Sequence, residues 1–137
     1  MLEINHYTKR YGDKKAVDDL TLHIAPGEIY GFIGHNGAGK TTTLKACAGI
    51  LRFDEGEIKI GGINIKDDPL ACKKITAYIP DNPDLYDFMS GIKYLNFIAD
   101  IFEVGEKERG ERIKKYADMF EITPDLSQPI ASYSHGM

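Results

Sequence analysis

The stretch FIGHNGAGKTTTL, Phe32 to Leu44, decides how the chain folds. It sets Gly34, Gly37 and Gly39 between an apolar run and a segment with helical spacing. Glycine weakens regular structure, so the loop must need what only glycine offers, a backbone free to turn left-handed. Gly34-His35-Asn36-Gly37-Ala38-Gly39-Lys40-Thr41 fits G-x-x-x-x-G-K-[S/T]. In that pattern the backbone curls until successive N–H groups aim into one cavity. The cavity opens on a helix N-terminus, whose partial positive charge favours phosphate. Lys40 can bridge the β- and γ-phosphates as a compact charge. Thr41 offers a hydroxyl to Mg²⁺, and Thr42 can hydrogen-bond a phosphate oxygen. His35, Asn36 and Ala38 stand at the variable positions and contribute their backbone. The loop predicts a nucleotide ligand, and GTPases, kinases and transport ATPases all own one.

Working outward, EIYGFI (28–33) is a near-continuous apolar run that predicts a strand covered on both faces. Residues 41–51 predict a helix with Leu44, Cys47, Ala48 and Leu51 on one face. LEINHY (2–7) and LTLHI (20–24) alternate as strands, with Asp18-Asp19 and Ala25-Pro26-Gly27 punctuating the second. In EIKIGGINI (57–65), two β-prone runs flank Gly61-Gly62, which predicts a hairpin with a two-residue primed turn. A short helix over 69–74 and a strand ITAYI (75–79) follow, the latter stopped by Pro80. Beyond Asp81 the texture turns helical. Ser90 can cap a helix through Phe102 that buries Ile92, Leu95, Ile98, Ile101 and Phe102. A second helix, 106–120, carries Ile113, Tyr116, Ala117 and Phe120 on one stripe. A mixed α/β part (1–80) therefore precedes an all-helical part (81–137).

Composition excludes several alternatives. The 137 residues suit one domain by length, 42% are apolar, and the formal net charge is −4. A general nucleic-acid binder would show a basic face, so no nucleic-acid partner is expected. The dense basic group from Arg109 to Lys115 contains Glu111 and reads as a solvated helix face. Cys47 and Cys72 make neither a disulfide framework nor a metal site, and the four histidines lack ligand spacing. Met1-Leu2-Glu3-Ile4 does not open a signal peptide. No apolar run approaches the ~20 residues that span a bilayer. A cytoplasmic location is expected, with any membrane role exercised through a partner.

Several spaced features, in order over nearly the whole chain, resemble an ABC-type ATPase, the nucleotide-binding subunit of ATP-binding cassette transporters. YTKRYGDKKAVDDLTLHIAPGEIYGFIGHNGAGKTTTLKACAGILRFDEGEIKIGG is similar to that family's N-terminal half. YIPDNPDLYDFMSGIKYL resembles its next loop and helix, and SYSHGM the start of its signature motif. The Tyr-Ser-His-Gly-Met variant, with LYDFM, is most similar to bacterial ABC-2-type exporters. The resemblance implies a RecA-like phosphate-loop NTPase core of α/β class, incomplete here, with an antiparallel β part and a helical subdomain. It implies that Tyr11 stacks on adenine, with Val17 flanking the base. Gly34 to Thr42 would hold the phosphates of ATP, and Lys40 and Thr41 would take part in catalysis. Ser134 and Gly136 would act in trans, the signature of one subunit closing over the γ-phosphate of a second, head-to-tail subunit. Tyr86 and Phe88 would line a groove for a coupling helix of transmembrane permease subunits. Through those permeases the protein would sit on the inner face of the cell membrane.

Two departures bear on function. Asp81 stands where the family usually has glutamine, the residue that reaches toward Mg²⁺ and the attacking water. A carboxylate accepts but cannot donate; its charge would favour the metal and repel phosphate. The family's apolar strand ending in Asp-Glu and its switch histidine do not occur in these residues; Asp54-Glu55 follows Phe53 in a turn. Phosphoryl transfer depends on positioning and charge neutralisation, so the 137 residues alone are expected to hold nucleotide without turning it over. Three other readings remain open at this point: a GTPase or small-molecule kinase, an ABC ATPase acting on ribosomes or DNA, and a nucleotide-sensing module. A GTPase needs Asn-Lys-x-Asp, and Asn64-Ile65-Lys66-Asp67 has the wrong order.

Overall fold

Side-chain alternation from Leu2 onward carries further than expected. A computed structural model describes residues 1–81, 85–134 and 136–137. In it β1 spans Leu2–Tyr11 and β2 spans Lys14–Ile24. The ladder absorbs Asp18-Asp19, expected as a break, because the register shifts there instead of ending. His6 and Asp19 take left-handed φ values of 50° and 53°. Their side chains meet at 2.7 Å (Nδ1 to Oδ1), the His6 N–H donates to Thr21 Oγ1, and the Asp19 N–H donates to Thr8 Oγ1. The kinked backbone is thus hydrogen-bonded in place.

β3 (Glu55–Ile60) pairs antiparallel with β1, and β4 (Ile63–Asn64) with β3, giving a sheet of order β2-β1-β3-β4. The expected hairpin is present: Gly61 and Gly62 both have positive φ, 59° and 84°, as a type I′ turn requires. Ile4 lies opposite Ile58 across the ladder, and both are buried. They form a core with Tyr7, Ala46, Ile65 and Cys72. Burying an isoleucine of this kind is worth about 1.5–3 kcal/mol.

Two expected strands, 28–33 and 75–79, are not strands in the described residues. A strand exists only where a neighbour accepts its hydrogen bonds, and the four-stranded sheet does not extend to either run. Ile29, Ile33 and Ile79 consequently stand exposed. The helix expected over 41–51 is α1, Lys40–Cys47. Gly49 turns left-handed at φ 67°, and the N–H groups of Gly49 and Ile50 close back on the Ala46 and Lys45 carbonyls. This paired closure stops the helix. Its buried residues are Thr43 and Ala46, while Leu44, expected inward, is exposed. α2, Pro69–Lys74, starts at Asp68, whose carboxylate accepts from the Ala71 N–H.

Residues Met1–Ile79 form one compact unit and Pro80–Met137 a second. Within the second, α3 (Gly91–Ile101) and α4 (Glu106–Met119) are clipped by Arg109, which donates to Asp100 and to the Val104 carbonyl. Ser90 precedes α3, but its side chain makes no capping bond. Ile101, Phe102, Tyr116 and Phe120, expected inward, are exposed; Ala117 is buried and Ile113 half-buried. Helical spacing aligns residues on a stripe, and packing covers only part of that stripe.

Candidate nucleotide-binding site

Gly37 and Gly39 both adopt left-handed φ, 86° and 84°, and bend residues 34–39 into a curl closed by the Ala38 N–H on the His35 carbonyl. Gly39 ends the curl as the N-cap of α1. It is pressed against β2: a Cβ there would lie 2.6 Å from the Ala16 carbonyl oxygen and 2.7 Å from Val17 Cγ2. Only glycine lets the loop come this close. Thr43 secures the helix start from inside, its hydroxyl and its N–H both 2.9 Å from the Gly39 carbonyl.

No side chain caps α1, and its first turn holds no acidic residue. Among the described hydrogen bonds, none uses the N–H of Gly39, Lys40, Thr41 or Thr42. These donors, at the positive end of the helix, suit a multiply charged anion. Lys40 folds back over the loop, its Nζ donating to the carbonyls of Gly34 at 2.5 Å and His35 at 2.8 Å. That contact holds the ammonium at the mouth of the curl. Thr41 is exposed, and Thr42 half-buried. Mg²⁺ ordinarily takes one or two protein oxygens and completes its shell with phosphate and water. The exposed Thr41 hydroxyl is an oxygen of the kind such a metal takes.

Tyr11 closes β1 opposite Lys14 in a tight turn through Gly12. Its ring is 53% exposed, with the Lys9 ammonium 5.2 Å from its centroid. The ring is therefore available for stacking rather than consumed by the core. It belongs to the hairpin whose Ala16–Val17 segment meets Gly39. The core tyrosine is Tyr7, whose hydroxyl burial pushes up to about 12.

The remaining expected site residues lie in the second unit. Asp81 is exposed at its start; Asn82 and Pro83 beside it, and His135 of the signature, lie outside the described residues. Ser134 and Gly136 are exposed, with the Met137 N–H donating back to the Ser134 carbonyl. Tyr133 anchors this turn: its hydroxyl donates to the Asp125 carbonyl at 2.8 Å, and a Cβ on Gly91 would lie 2.1 Å from it. Sequence reasoning passed over the Gly91–Tyr133 seat, because nothing local marks which glycine faces an aromatic ring from a distant turn. It also missed Thr43, although a third consecutive small hydroxyl residue signals a bond back to a carbonyl one turn earlier.

Unpaired amides at the start of α1, a lysine folded over the loop and a half-exposed aromatic ring fit a phosphate-loop fold. Residues 17–137 match the family profile described as ABC transporter, and the chain belongs to that family. It is 34% identical over its whole length to "Uncharacterized ABC transporter ATP-binding protein YhcH" of Bacillus subtilis (strain 168), covering 44% of that relative. Over 94% of the chain it is 30% identical to "Daunorubicin resistance ATP-binding protein DrrA3" of Streptomyces coeruleorubidus, covering 41% of it. A solved structure described as that of an ATP binding subunit of an ABC transporter superposes on the whole chain with a TM-score of 0.91 at 31% identity, and the chain covers 57% of it. The chain thus spans less than half the length of these two curated relatives. The α/β class with an antiparallel sheet agrees with the sequence expectation, and the family sets the chain apart from GTPases and small-molecule kinases.

Proposed function

We propose that this chain is the nucleotide-holding part of an ATPase that powers an exporter. The observation that carries the reading is the set of unpaired N–H groups from Gly39 to Thr42, held in place by the packing of Gly39 on β2. ATP would lay its phosphates in this cradle, with Lys40 neutralising the β- and γ-oxygens and Tyr11 stacking on adenine. Thr41 would hold Mg²⁺, and the carboxylate of Asp81 would favour the same metal, as the family resemblance implies. The metal, when bound, spreads the charge of the phosphate oxygens.

Ser134 and Gly136 would supply hydroxyl and N–H donors to the γ-phosphate of a second subunit, which makes hydrolysis a property of a head-to-tail pair. The aromatic group of Tyr86, Phe88, Tyr94 and Phe97, with ring centroids 5.6 to 6.2 Å from Tyr86, suits a groove for a short helix of a permease. Tyr86 and Phe88 are exposed there. Attachment to the inner face of the membrane would follow from that contact. No helix among the described residues is long and apolar enough to cross a membrane. The similarity to a daunorubicin resistance protein supports outward transport.

Titration of the chain with Mg-ATP tests the reading. Lys40→Ala should weaken binding at least tenfold, and an unchanged affinity refutes the cradle. Phosphate release should stay at background for the 137 residues alone. Sustained turnover by them would overturn the proposal that these residues hold nucleotide without orienting the attacking water.

A further inference from the structure

At the C-terminal end of α1, opposite the phosphate loop along the helix, a cavity of about 450 Å³ opens between the helix, Phe53 and α2. Its wall is apolar: Ala46 and Ile65 are buried, and Leu51 and Phe53 half-buried. Cations stand around it. Arg52 and Lys66 line it, and Lys73 lies across Gly49, with Cε 3.2 Å from where a Cβ would sit on that residue. Among the described residues none of the three enters an ion pair. The nearest carboxylate in sequence to α2, Asp68, is engaged in capping it. Lys66 is positioned by the face of Phe53, 4.2 Å from the ring centroid, and by one bond to the Gly56 carbonyl. Among the described residues, no other hydrogen bond uses that ammonium.

Arg52, Lys66 and Lys73 around an apolar hollow outnumber the adjacent Asp67 and Asp68, and none of the three is neutralised by an ion pair among the described residues. Pockets that hold small ligands begin at about 300 Å³ and combine an apolar wall with a few convergent polar groups. We infer that this cavity is a binding site for a small anionic amphiphile, a single carboxylate on a short aliphatic body. The aliphatic part would lie on Ile65, Leu51 and Phe53. The carboxylate would take Lys66 and Arg52, with Lys73 closing over it. A cation with the same tail would be repelled, and a neutral alcohol would keep only the apolar contacts. The site is separate from the phosphate loop and does not depend on the nucleotide reading.

The test is an amide chemical-shift titration of the full 137-residue chain with octanoate, octanol and octylammonium in parallel. Octanoate should shift the amides of Gly49, Leu51, Phe53 and Ile65 in a saturable way, and bind at least tenfold tighter than the other two. The paired substitution Arg52→Glu, Lys66→Glu should lose at least tenfold in octanoate affinity while the Mg-ATP affinity stays within twofold. Lys114→Glu, a charge reversal on α4, should leave octanoate unaffected. Should the paired variant fail to fold, Arg52→Gln alone must still weaken octanoate at least threefold. Equal binding of octanol, shifts scattered away from these residues, or an unchanged affinity in the Arg52 variants would overturn the proposal.

Discussion

Gly37 and Gly39 share one backbone conformation and differ only in what surrounds them, so they separate strain from packing. With φ of 86° and 84°, an alanine at either position suffers the left-handed penalty, about 1–2 kcal/mol. At Gly37 nothing lies within 4 Å of the added Cβ, and that penalty is the whole cost. At Gly39 the Cβ would meet the Ala16 oxygen at 2.6 Å and Val17 Cγ2 at 2.7 Å. One partner is backbone of β2 and cannot swing away, so the loop or the strand must shift, adding about 1–3 kcal/mol. Gly39→Ala should therefore be less stable than Gly37→Ala by about 1–3 kcal/mol in urea unfolding. The shift also tilts the N–H groups of residues 39 to 42, so Mg-ATP affinity measured by calorimetry should fall more than tenfold in Gly39→Ala and much less in Gly37→Ala. If the two variants agree within about 0.5 kcal/mol, the range of a substitution away from any special contact, the packing of the loop on β2 is not what holds the cradle.

Three further outcomes are expected. Tyr11→Ala should weaken ATP but not inorganic triphosphate, by about 1–3 kcal/mol if stacking here resembles that of other bases on aromatic rings, while Tyr11→Phe keeps the affinity; a matching loss for triphosphate would refute the stacking role. Gly91→Ala should cost about 1–3 kcal/mol, because the Tyr133 hydroxyl must leave its bond to Asp125; adding Tyr133→Phe should restore part of it, and no recovery in the double variant counts against the clash. Burial pushes the Cys47 thiol from 9.0 up to about 11, so the folded chain keeps this proton longer than the unfolded one. Stability from this group is complete below pH 9 and is lost between pH 9 and about 11, at most about 3 kcal/mol; the urea midpoint should fall over that window, less steeply in Cys47→Ala, and identical slopes would show that the thiol is not the cause.

The phosphate loop was legible from sequence because its chemistry is local. Each glycine, the lysine and the threonine act through backbone or atoms within a few residues, so spacing alone carries the information. Gly61-Gly62 was legible for the same reason. The runs 28–33 and 75–79 were misread because a strand is defined by its neighbour, and apolar content says nothing about whether a neighbour is there. Leu44, Tyr116 and Phe120 were misplaced because periodicity names a stripe and not its covered width. Asp18-Asp19 looked like a break; a register shift with Asp19 left-handed let the ladder run through it.

That last feature bears on how the molecule avoids its own kind. β2 is an outer strand of the sheet, and an outer strand offers a row of amides and carbonyls on which another copy could zip. The kink at Asp19, with Lys14, Lys15 and Asp18 close by in the same strand, breaks that row into short stretches guarded by charge. A chain with this strand straightened and neutralised should form intermolecular sheet at concentrations where the native one stays monodisperse.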